Sequence, residues 1–219
     1  MNLHEMYYEE CKAVSNMMTR LYNTRLTTTS GGNISLRLNE ELFCISPSGL
    51  DKSCLNPEDI AIVTLDGKNL TPDLPLSIES EMHRKLLISR SDINAVVHAH
   101  PCWSTLFSTF ENFRINTALV AESYFLIGEP VIIPYRRMGT EELADVVCES
   151  LKKNNVGILA NHGIITLGKT LVKAFDLIEV LENSSKMTLA TELLSSKVKS
   201  HSLDQQQKQE LLDMKNGKK

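Results

Sequence analysis

Long apolar runs are absent from this chain. None approaches the roughly 18–20 consecutive apolar residues that a membrane-spanning helix needs. An excess of basic residues is also missing, because 23 lysines and arginines stand against 27 acidic residues, for a formal net charge of -4. Proteins that bind nucleic acid usually present a positively charged face. The composition therefore predicts no membrane span and no nucleic-acid partner.

Cysteine is scarce, and its spacing argues against a disulfide framework. The five cysteines are an odd number, lie far apart and include no Cys-x-x-Cys pair. The first ten residues are polar and acidic, unlike the apolar stretch of a secretory signal. Reduced thiols and a start of this kind predict a cytoplasmic protein.

With 219 residues, of which 42% are hydrophobic, the chain can bury one sizeable core. The pattern predicts a single domain over residues 1–196, followed by a polar tail over 197–219 that is a frayed helix or disordered. We expect a fold of the α/β (α+β) class, in which a central, largely antiparallel sheet lies between two helical layers.

Apolar periodicity predicts where the main elements lie. The helices are expected over 6–22, 77–89, 102–110, 140–152 and 170–194. The strands are expected over 33–38, 42–45, 60–65, 93–97, 131–133, 156–160 and 163–166.

The strongest chemical signal is a pair of histidines, His98 and His100, at the end of a predicted strand. Residues i and i+2 of an extended segment point to the same side, so both imidazoles can reach one metal ion. A third histidine, His162, interrupts two apolar strands in the segment Ala160-Asn161-His162-Gly163. Alone, each motif is as readily a polar loop or a turn. Together, three histidines would leave an open coordination position, as in catalytic zinc sites.

A carboxylate for acid–base chemistry comes from the helix that begins near Ser77. Glu79 and Glu81 both lie in its first turn, and periodicity does not choose between them. His83 lies on the same helical face as Glu79 and is a candidate partner for it, or simply a packed histidine. The loops Ser30-Gly31-Gly32-Asn33 and Ser46-Pro47-Ser48-Gly49 are ordinary turns individually, but beside a metal site they suggest binding of a phosphate group.

These motifs, taken in order, resemble the class II aldolase/adducin family. The resemblance spans roughly residues 5 to 195. It is carried by Gly32-Asn33-Ile34-Ser35, Ser46-Pro47-Ser48-Gly49, Ser77-Ile78-Glu79 with His83, His98-Ala99-His100-Pro101, Pro134-Tyr135 with Gly139-Thr140, and Asn161-His162-Gly163. Within the family, the pattern is most similar to that of the L-fuculose-phosphate aldolases.

The resemblance implies one Zn²⁺ ion per subunit, bound by His98, His100 and His162 and touched by Glu79, which is then the acid–base residue. It also implies a homotetramer with active sites at subunit interfaces. The implied phosphate-binding residues are Gly32, Asn33, Ser48, Gly49, Ser77 and Ile78.

The implied reaction is retro-aldol cleavage of a ketose 1-phosphate, similar to L-fuculose 1-phosphate, into dihydroxyacetone phosphate and an aldehyde such as lactaldehyde. Tyrosines protonate the aldehyde oxygen in the fuculose enzymes, and Tyr124 lies near the mid-chain position of one of them. The sequence departs from that pattern at Ile78, where those enzymes often carry a second serine, and in having no tyrosine after Tyr135.

Other members of the same scaffold are the alternatives. A pentulose-phosphate 4-epimerase typically carries an aspartate where Glu79 stands, which favours a lyase here. Sugar-phosphate dehydratases and decarboxylases remain open. A non-catalytic adducin-like module would not need three histidines and a glutamate at these positions.

Overall fold

Seven strands form one sheet in the computed structural model, which describes residues 2–217. They are β1 (Asn33–Arg37), β2 (Leu42–Ile45), β3 (Ala61–Thr64), β4 (Ala95–Ala99), β5 (Val131–Ile133), β6 (Val156–Leu159) and β7 (Gly163–Gly168). Their order across the sheet is β3-β2-β1-β4-β7-β6-β5. All neighbours are antiparallel except β5 and β6, which are parallel. The expected largely antiparallel sheet is confirmed.

Eight α-helices occur in the described part of the chain. They are α1 (Leu3–Met6), α2 (Tyr8–Asn23), α3 (Ser80–Ser89), α4 (Cys102–Phe107), α5 (Ala121–Ile127), α6 (Glu141–Ser150), α7 (Leu171–Leu194) and α8 (Gln205–Lys215). Single 3₁₀ turns lie at Pro57–Asp59 and Thr117–Leu119. Among the described helices, none combines the length and the apolar content needed to cross a bilayer.

The helices cover both faces of the sheet. On one face, Val97 and Ile164 of the sheet share a buried cluster with side chains of α2 and α7. On the other face, their sequence neighbours Val96 and Ile165 pack against side chains of α3 and α6. Successive side chains of a strand point to opposite faces, so one strand contributes to both clusters. The predicted three-layer arrangement is confirmed.

The C-terminal segment predicted as a polar tail contains helix α8. Asp204 caps this helix by accepting a hydrogen bond from the backbone N–H of Gln207 at 2.8 Å. The segment docks on the region around α5, where the backbone N–H of Leu203 donates to the carbonyl of Ala118 at 2.8 Å. Residue 1 of the predicted domain and residues 218–219 of the predicted tail lie outside the described range.

Helix α5 has no counterpart among the sequence-predicted elements. Its seven residues contribute only Ser123 and Tyr124 as buried positions, which is too few to show a helical repeat. The predicted helix over 77–89 begins instead at Ser80, because Glu79 stands at its N-cap position and Ser77 lies in the preceding turn.

Candidate active site

The central strand β4 delivers the first histidine into the interior. All five residues of β4 are buried, and His98 is paired with Asn33 of β1 and Ile165 of β7. His100 follows two residues later, and the Nε2 atoms of the two rings are 3.0 Å apart. The expected same-side placement of the pair is therefore present.

The chain is held in place immediately after this pair. Helix α4 begins behind Pro101, and the buried carboxylate of Glu182 accepts hydrogen bonds from the backbone N–H groups of Trp103 and Ser104 at 3.1 and 2.8 Å. A carboxylate satisfies the free N–H groups at a helix start. This contact from α7 fixes the direction in which the chain leaves His100.

His162 lies in the tight turn between β6 and β7. Asn161 has a φ of 56°, in the left-handed region, and its backbone N–H donates to the carbonyl of Ser108 at 3.1 Å. A Cβ atom at Gly163 would lie 2.6 Å from the carbonyl oxygen of Ala99. Only glycine lets the turn approach β4 so closely, which brings the His162 ring beside the other two.

Glu79, not Glu81, faces the histidines. Its Oε2 atom is 3.2 Å from Nε2 of His98, and its Oε1 atom is 3.3 Å from Nε2 of His162. Glu81 instead pairs with Arg84 at 2.6 Å, where both side chains are partly exposed. Of the two carboxylates that periodicity did not separate, only Glu79 lies beside the histidines.

The donor atoms of the three histidines lie close enough together for one metal ion to bind between them. The ligand atoms of His98, His100 and His162 lie within 4.8 Å of one another. A tetrahedral ion with bonds of 2.0–2.1 Å separates neighbouring ligand atoms by roughly 3.3 Å. Oε1 of Glu79 is also buried without a hydrogen-bond donor in the described structure. These residues fit a divalent cation that would satisfy the orphaned oxygen.

The tautomer of His98 suits a metal ligand. Its Nδ1 atom is 2.9 Å from the carbonyl oxygen of Ile164, which can only accept, so Nδ1 carries the proton. Nε2, the other ring nitrogen, faces the other donors, as in many histidine metal sites. Burial, with the neighbouring His98 and His162, lowers the pKa of His100 to about 3, so the His100 ring is neutral.

Opposing effects act on the carboxyl group of Glu79. Its burial raises the pKa, whereas His98, the Asn33 amide and His162 lower it. The net pKa is below the ordinary value of a glutamate, so the group is ionised at neutral pH.

A buried hydrogen-bond chain supports Glu79 from behind. His83 is fully buried, with Nδ1 2.7 Å from the hydroxyl of Ser35 and Nε2 2.5 Å from Oδ1 of Asn33. Burial lowers the pKa of His83 to about 3, so it is neutral and its Nε2–H donates to Asn33. The Asn33 amide group then donates to Ser77 Oγ at 3.0 Å and to Glu79 Oε2 at 2.9 Å. His83 therefore reaches Glu79 through Asn33.

The histidines open into a cavity of about 410 Å³. Five of the six predicted phosphate-binding residues line it, namely Gly32, Asn33, Ser48, Ser77 and Ile78. The sixth, Gly49, follows Ser48 with a φ of 75°. Lys52 and Met138 also line the cavity and were not singled out from the sequence.

Free backbone donors occur beside this cavity. The N–H groups of Gly32, Gly49 and Ile78 have no acceptor among the described residues. Gly32 has a φ of 66°, and a Cβ atom there would lie 2.8 Å from the carbonyl oxygen of His98. Backbone N–H groups exposed in such turns form anion-binding nests. The loops can therefore bind an anionic group close to the histidines.

Tyr124 lies elsewhere in the chain. It is 8% exposed and lines a second cavity of about 450 Å³, together with Arg114, Glu129 and Lys208. It is not among the residues that line the histidine cavity. Within a single chain, the structure brings together the other predicted site residues but not this tyrosine.

Named relatives share most of the chain. A Methanococcus maripaludis protein named L-fuculose phosphate aldolase is 36% identical over 167 residues, which are 76% of this chain and 89% of that protein. An Escherichia coli protein named 3-oxo-tetronate 4-phosphate decarboxylase is 32% identical over 177 residues, covering 78% and 83%. The crystal structure of L-fuculose-1-phosphate aldolase from Thermus thermophilus matches with a TM-score of 0.77 and 27% identity, covering 88% of this chain and all of that one.

The family match extends over the fold and the site. Residues 12–189 match the family described as "Class II Aldolase and Adducin N-terminal domain". This range contains the whole sheet, the three histidines and Glu79. The chain belongs to the class II aldolase and adducin family.

Proposed function

We propose that the protein is a metal-dependent aldolase that cleaves a ketose 1-phosphate into dihydroxyacetone phosphate and an aldehyde. The observation that carries the proposal is the ionised carboxylate of Glu79 beside three convergent histidines, at the end of a cavity with free backbone donors. The relative named L-fuculose phosphate aldolase supports L-fuculose 1-phosphate as the type of substrate and lactaldehyde as the aldehyde.

The ion is proposed to be Zn²⁺, one per subunit, with His98, His100 and His162 as ligands and Glu79 in contact with it. When bound, it supplies Lewis-acid polarisation of the substrate carbonyl. Imidazoles with their Nε2 atoms at 3.0–3.3 Å from the neighbouring donor atoms are suitable ligands.

Glu79 is proposed to move the proton of the reaction. Cleavage breaks the bond between C3 and C4 of the ketose, and C3 must gain a proton to become the hydroxymethyl carbon of dihydroxyacetone phosphate. Asn33 holds Oε2, whereas Oε1 has no hydrogen-bond donor in the described structure, so Oε1 is the oxygen that can carry that proton when it is not in contact with the ion. The resting carboxylate is ionised, so it must take up a proton before it donates one to C3. The hydroxyl at C4 loses one proton as the aldehyde forms, which balances the proton that C3 gains.

The phosphate group is proposed to lie against Gly32, Asn33, Ser48, Gly49, Ser77 and Ile78. Ile78 offers only its backbone N–H, because its side chain has no hydroxyl, and this N–H has no acceptor among the described residues. The loss of one hydroxyl relative to a serine leaves this backbone donor unchanged.

Tyr124 is retained as a proposed general acid only in connection with the proposed homotetramer. Because it lines a different cavity in its own chain, it would have to serve the site of another copy. Tyr124→Phe should then lower the cleavage rate by at least about tenfold. An unchanged rate in the assembled protein would remove it from the mechanism.

We also propose that the protein is cytoplasmic.

The deciding experiment is metal analysis of the purified protein, followed by assays with L-fuculose 1-phosphate and with ribulose phosphates. Dihydroxyacetone phosphate should form, and its formation should stop after treatment with EDTA and resume when metal is restored. Epimerisation without cleavage, or full activity in demetallated protein, would overturn the proposal.

Decarboxylation is the second candidate. The relative named 3-oxo-tetronate 4-phosphate decarboxylase supports it, as does a pair of exposed arginines, Arg136 and Arg137, next to the cavity residue Met138. Arginine is well suited to pair with a substrate carboxylate. Release of carbon dioxide from a 3-oxo sugar-acid phosphate, with no cleavage of ketose phosphates, would favour this reaction instead.

A further inference from the structure

The predicted phosphate loops enclose a lysine that the family motifs do not include. Lys52 follows the Ser48-Gly49 turn, and its side chain lines the histidine cavity although only 1% of the residue is exposed. Its backbone N–H donates to the carbonyl of Thr29 at 2.9 Å, which ties this loop to the Gly31-Gly32 loop. Lys52 therefore belongs to the wall where the two loops meet.

The ammonium group of Lys52 is incompletely satisfied. It carries three N–H donors, and the carbonyl oxygen of Pro47 is its one acceptor among the described residues. None of the ion pairs in the described structure includes Lys52. Burying a cation without a counter-charge is unfavourable. An anionic ligand would supply both the missing charge and the missing acceptors.

The charge of Lys52 and the other hydrogen-bond donors belong to the same cavity. Lys52 is the one lysine or arginine among the described residues that line it. Ser48 and Ser77 line the same cavity, and the backbone N–H groups of Gly49 and Ile78 are free among the described residues. Phosphate oxygens accept several hydrogen bonds at once, and those from a charged donor are the stronger ones.

We propose that Lys52 binds the phosphate group of the substrate and thereby selects phosphorylated over neutral sugars, an inference that rests on the sugar-phosphate function proposed above. The ammonium keeps its contact with Pro47 and turns its remaining N–H groups to the phosphate oxygens. The charge of the pocket then comes from one side chain, and its shape comes from the glycine and serine loops.

The test compares Lys52→Met with the wild type as purified, full-length, metal-loaded proteins. Inorganic phosphate is the probe, and its dissociation constant should rise about 10- to 100-fold, the usual range for losing hydrogen bonds to a charged group. Both proteins carry the same metal, so phosphate binding to the ion alone cannot produce a difference between them. KM for the sugar phosphate should rise similarly, with kcat changed less than about threefold. Lys153→Met, an exposed lysine outside the cavity, is the matched control and should match the wild type.

A pH series separates charge recognition from simple packing. Burial lowers the pKa of Lys52 to about 8, so phosphate binding by the wild type should weaken as the pH rises through this value. Lys52→Arg keeps its charge there and should not show this loss. The other titratable groups that line the cavity, Glu79, His100 and His162, are common to both proteins. Equal pH dependence in the two proteins would overturn the proposal.

A structural role alone gives different results. If Lys52 only holds Pro47, Lys52→Met should melt at a lower temperature and bind phosphate as tightly as the wild type, which would also overturn the proposal. If Lys52→Met does not fold, the pH series with Lys52→Arg decides. Failure of the wild type to bind phosphate or to cleave any sugar phosphate would reject the proposed function. Intact wild-type binding with unchanged binding by the variants would reject only the role of Lys52.

Discussion

Two cavities of similar volume, about 410 and 450 Å³, differ in how their polar groups are held. In the histidine cavity, Asn33, Glu79 and Lys52 are buried. They lie at the start of β1, at the N-cap of α3 and in the loop after Gly49, respectively. In the second cavity, Arg114 and Glu129 are exposed, and Lys208 lies over the ring of Tyr124 at 5.4 Å. Volume does not distinguish the two. Burial of polar groups that point into the space is costly without a ligand, and this cost marks the first cavity as the functional site.

The largest expected effect is loss of the metal. His162→Ala should remove one of three proposed ligands and reduce both metal content and cleavage to background, because the remaining donors no longer enclose the ion. Metal analysis after dialysis measures this directly. His201→Ala, an exposed histidine of the C-terminal segment, is the control and should keep full metal content. Unchanged metal content in His162→Ala would exclude that ligand.

The next effect concerns the acid–base residue. Glu79→Gln should retain most of the metal and lose on the order of 10²- to 10⁴-fold in turnover, the usual contribution of a positioned proton donor or acceptor. Glu81→Gln is the matched control, since Glu81 lies two residues away and pairs with Arg84 instead. If the two variants have similar rates, the assignment of Glu79 fails.

A smaller effect on turnover is expected from changing His83, which supports Glu79 through Asn33. His83→Leu removes the donor to Asn33 Oδ1, so the Asn33 amide can rotate and release Oε2 of Glu79. Turnover should fall about 10- to 100-fold, as for other residues that orient the partners of a metal site. Because the pKa of His83 is about 3, it stays neutral above pH 5 and should add no inflection to the pH profile there. A wild-type rate in this variant would show that Asn33 is held without it.

The smallest effect is on stability and has an unusual sign. The pKa of Lys52 falls from 10.5 to about 8 on folding, so between these values the unfolded chain binds more protons and stability rises with pH. Below pH 8 the full cost of burying the charge is present, up to roughly 3 kcal/mol from the pKa difference. Lys52→Met should therefore increase the free energy of unfolding of phosphate-free protein at pH 7, with the gain shrinking toward pH 10.5. Urea titrations at several pH values measure it.

Replacing a lysine of the second cavity tests whether the effects expected for Lys52 are specific to the histidine cavity. Lys208→Met should change neither phosphate affinity nor the pH dependence of stability by a measurable amount, because Lys208 is only partly buried. A loss of phosphate affinity as large as that expected for Lys52→Met would show that the second cavity also binds anions.

Local pattern was sufficient for most of the elements. The strands β2 and β5 begin and end at the predicted residues, and helix α7 is within one residue of its predicted start. The sequence pattern did not distinguish helix α8 from a disordered tail, because its mean hydropathy is low and it has no buried residue. Its position depends on contacts with a distant segment around Ala118, which periodicity does not report.

The parts of the site that depend on local spacing were predictable, and the parts that depend on packing were not. His98 and His100 share a side because they are two residues apart in a strand, which is a local property. The choice of Glu79 over Glu81 depends on how α3 packs against the sheet, and the burial of Lys52 depends on its contact with Thr29. From the sequence alone, the segment Leu50-Asp51-Lys52-Ser53 is typical of an exposed polar turn.

By itself, the sequence determined the alternation of strand and helix and the pair of same-side histidines, because each follows from the conformations of a few neighbouring residues. Only the tertiary structure decided that His162 meets the pair, that Glu79 completes the group and that Tyr124 lies in another cavity. These outcomes depend on the order of strands in the sheet and on packing across it. Distances between residues far apart along the chain are fixed by that packing, not by their spacing in the sequence.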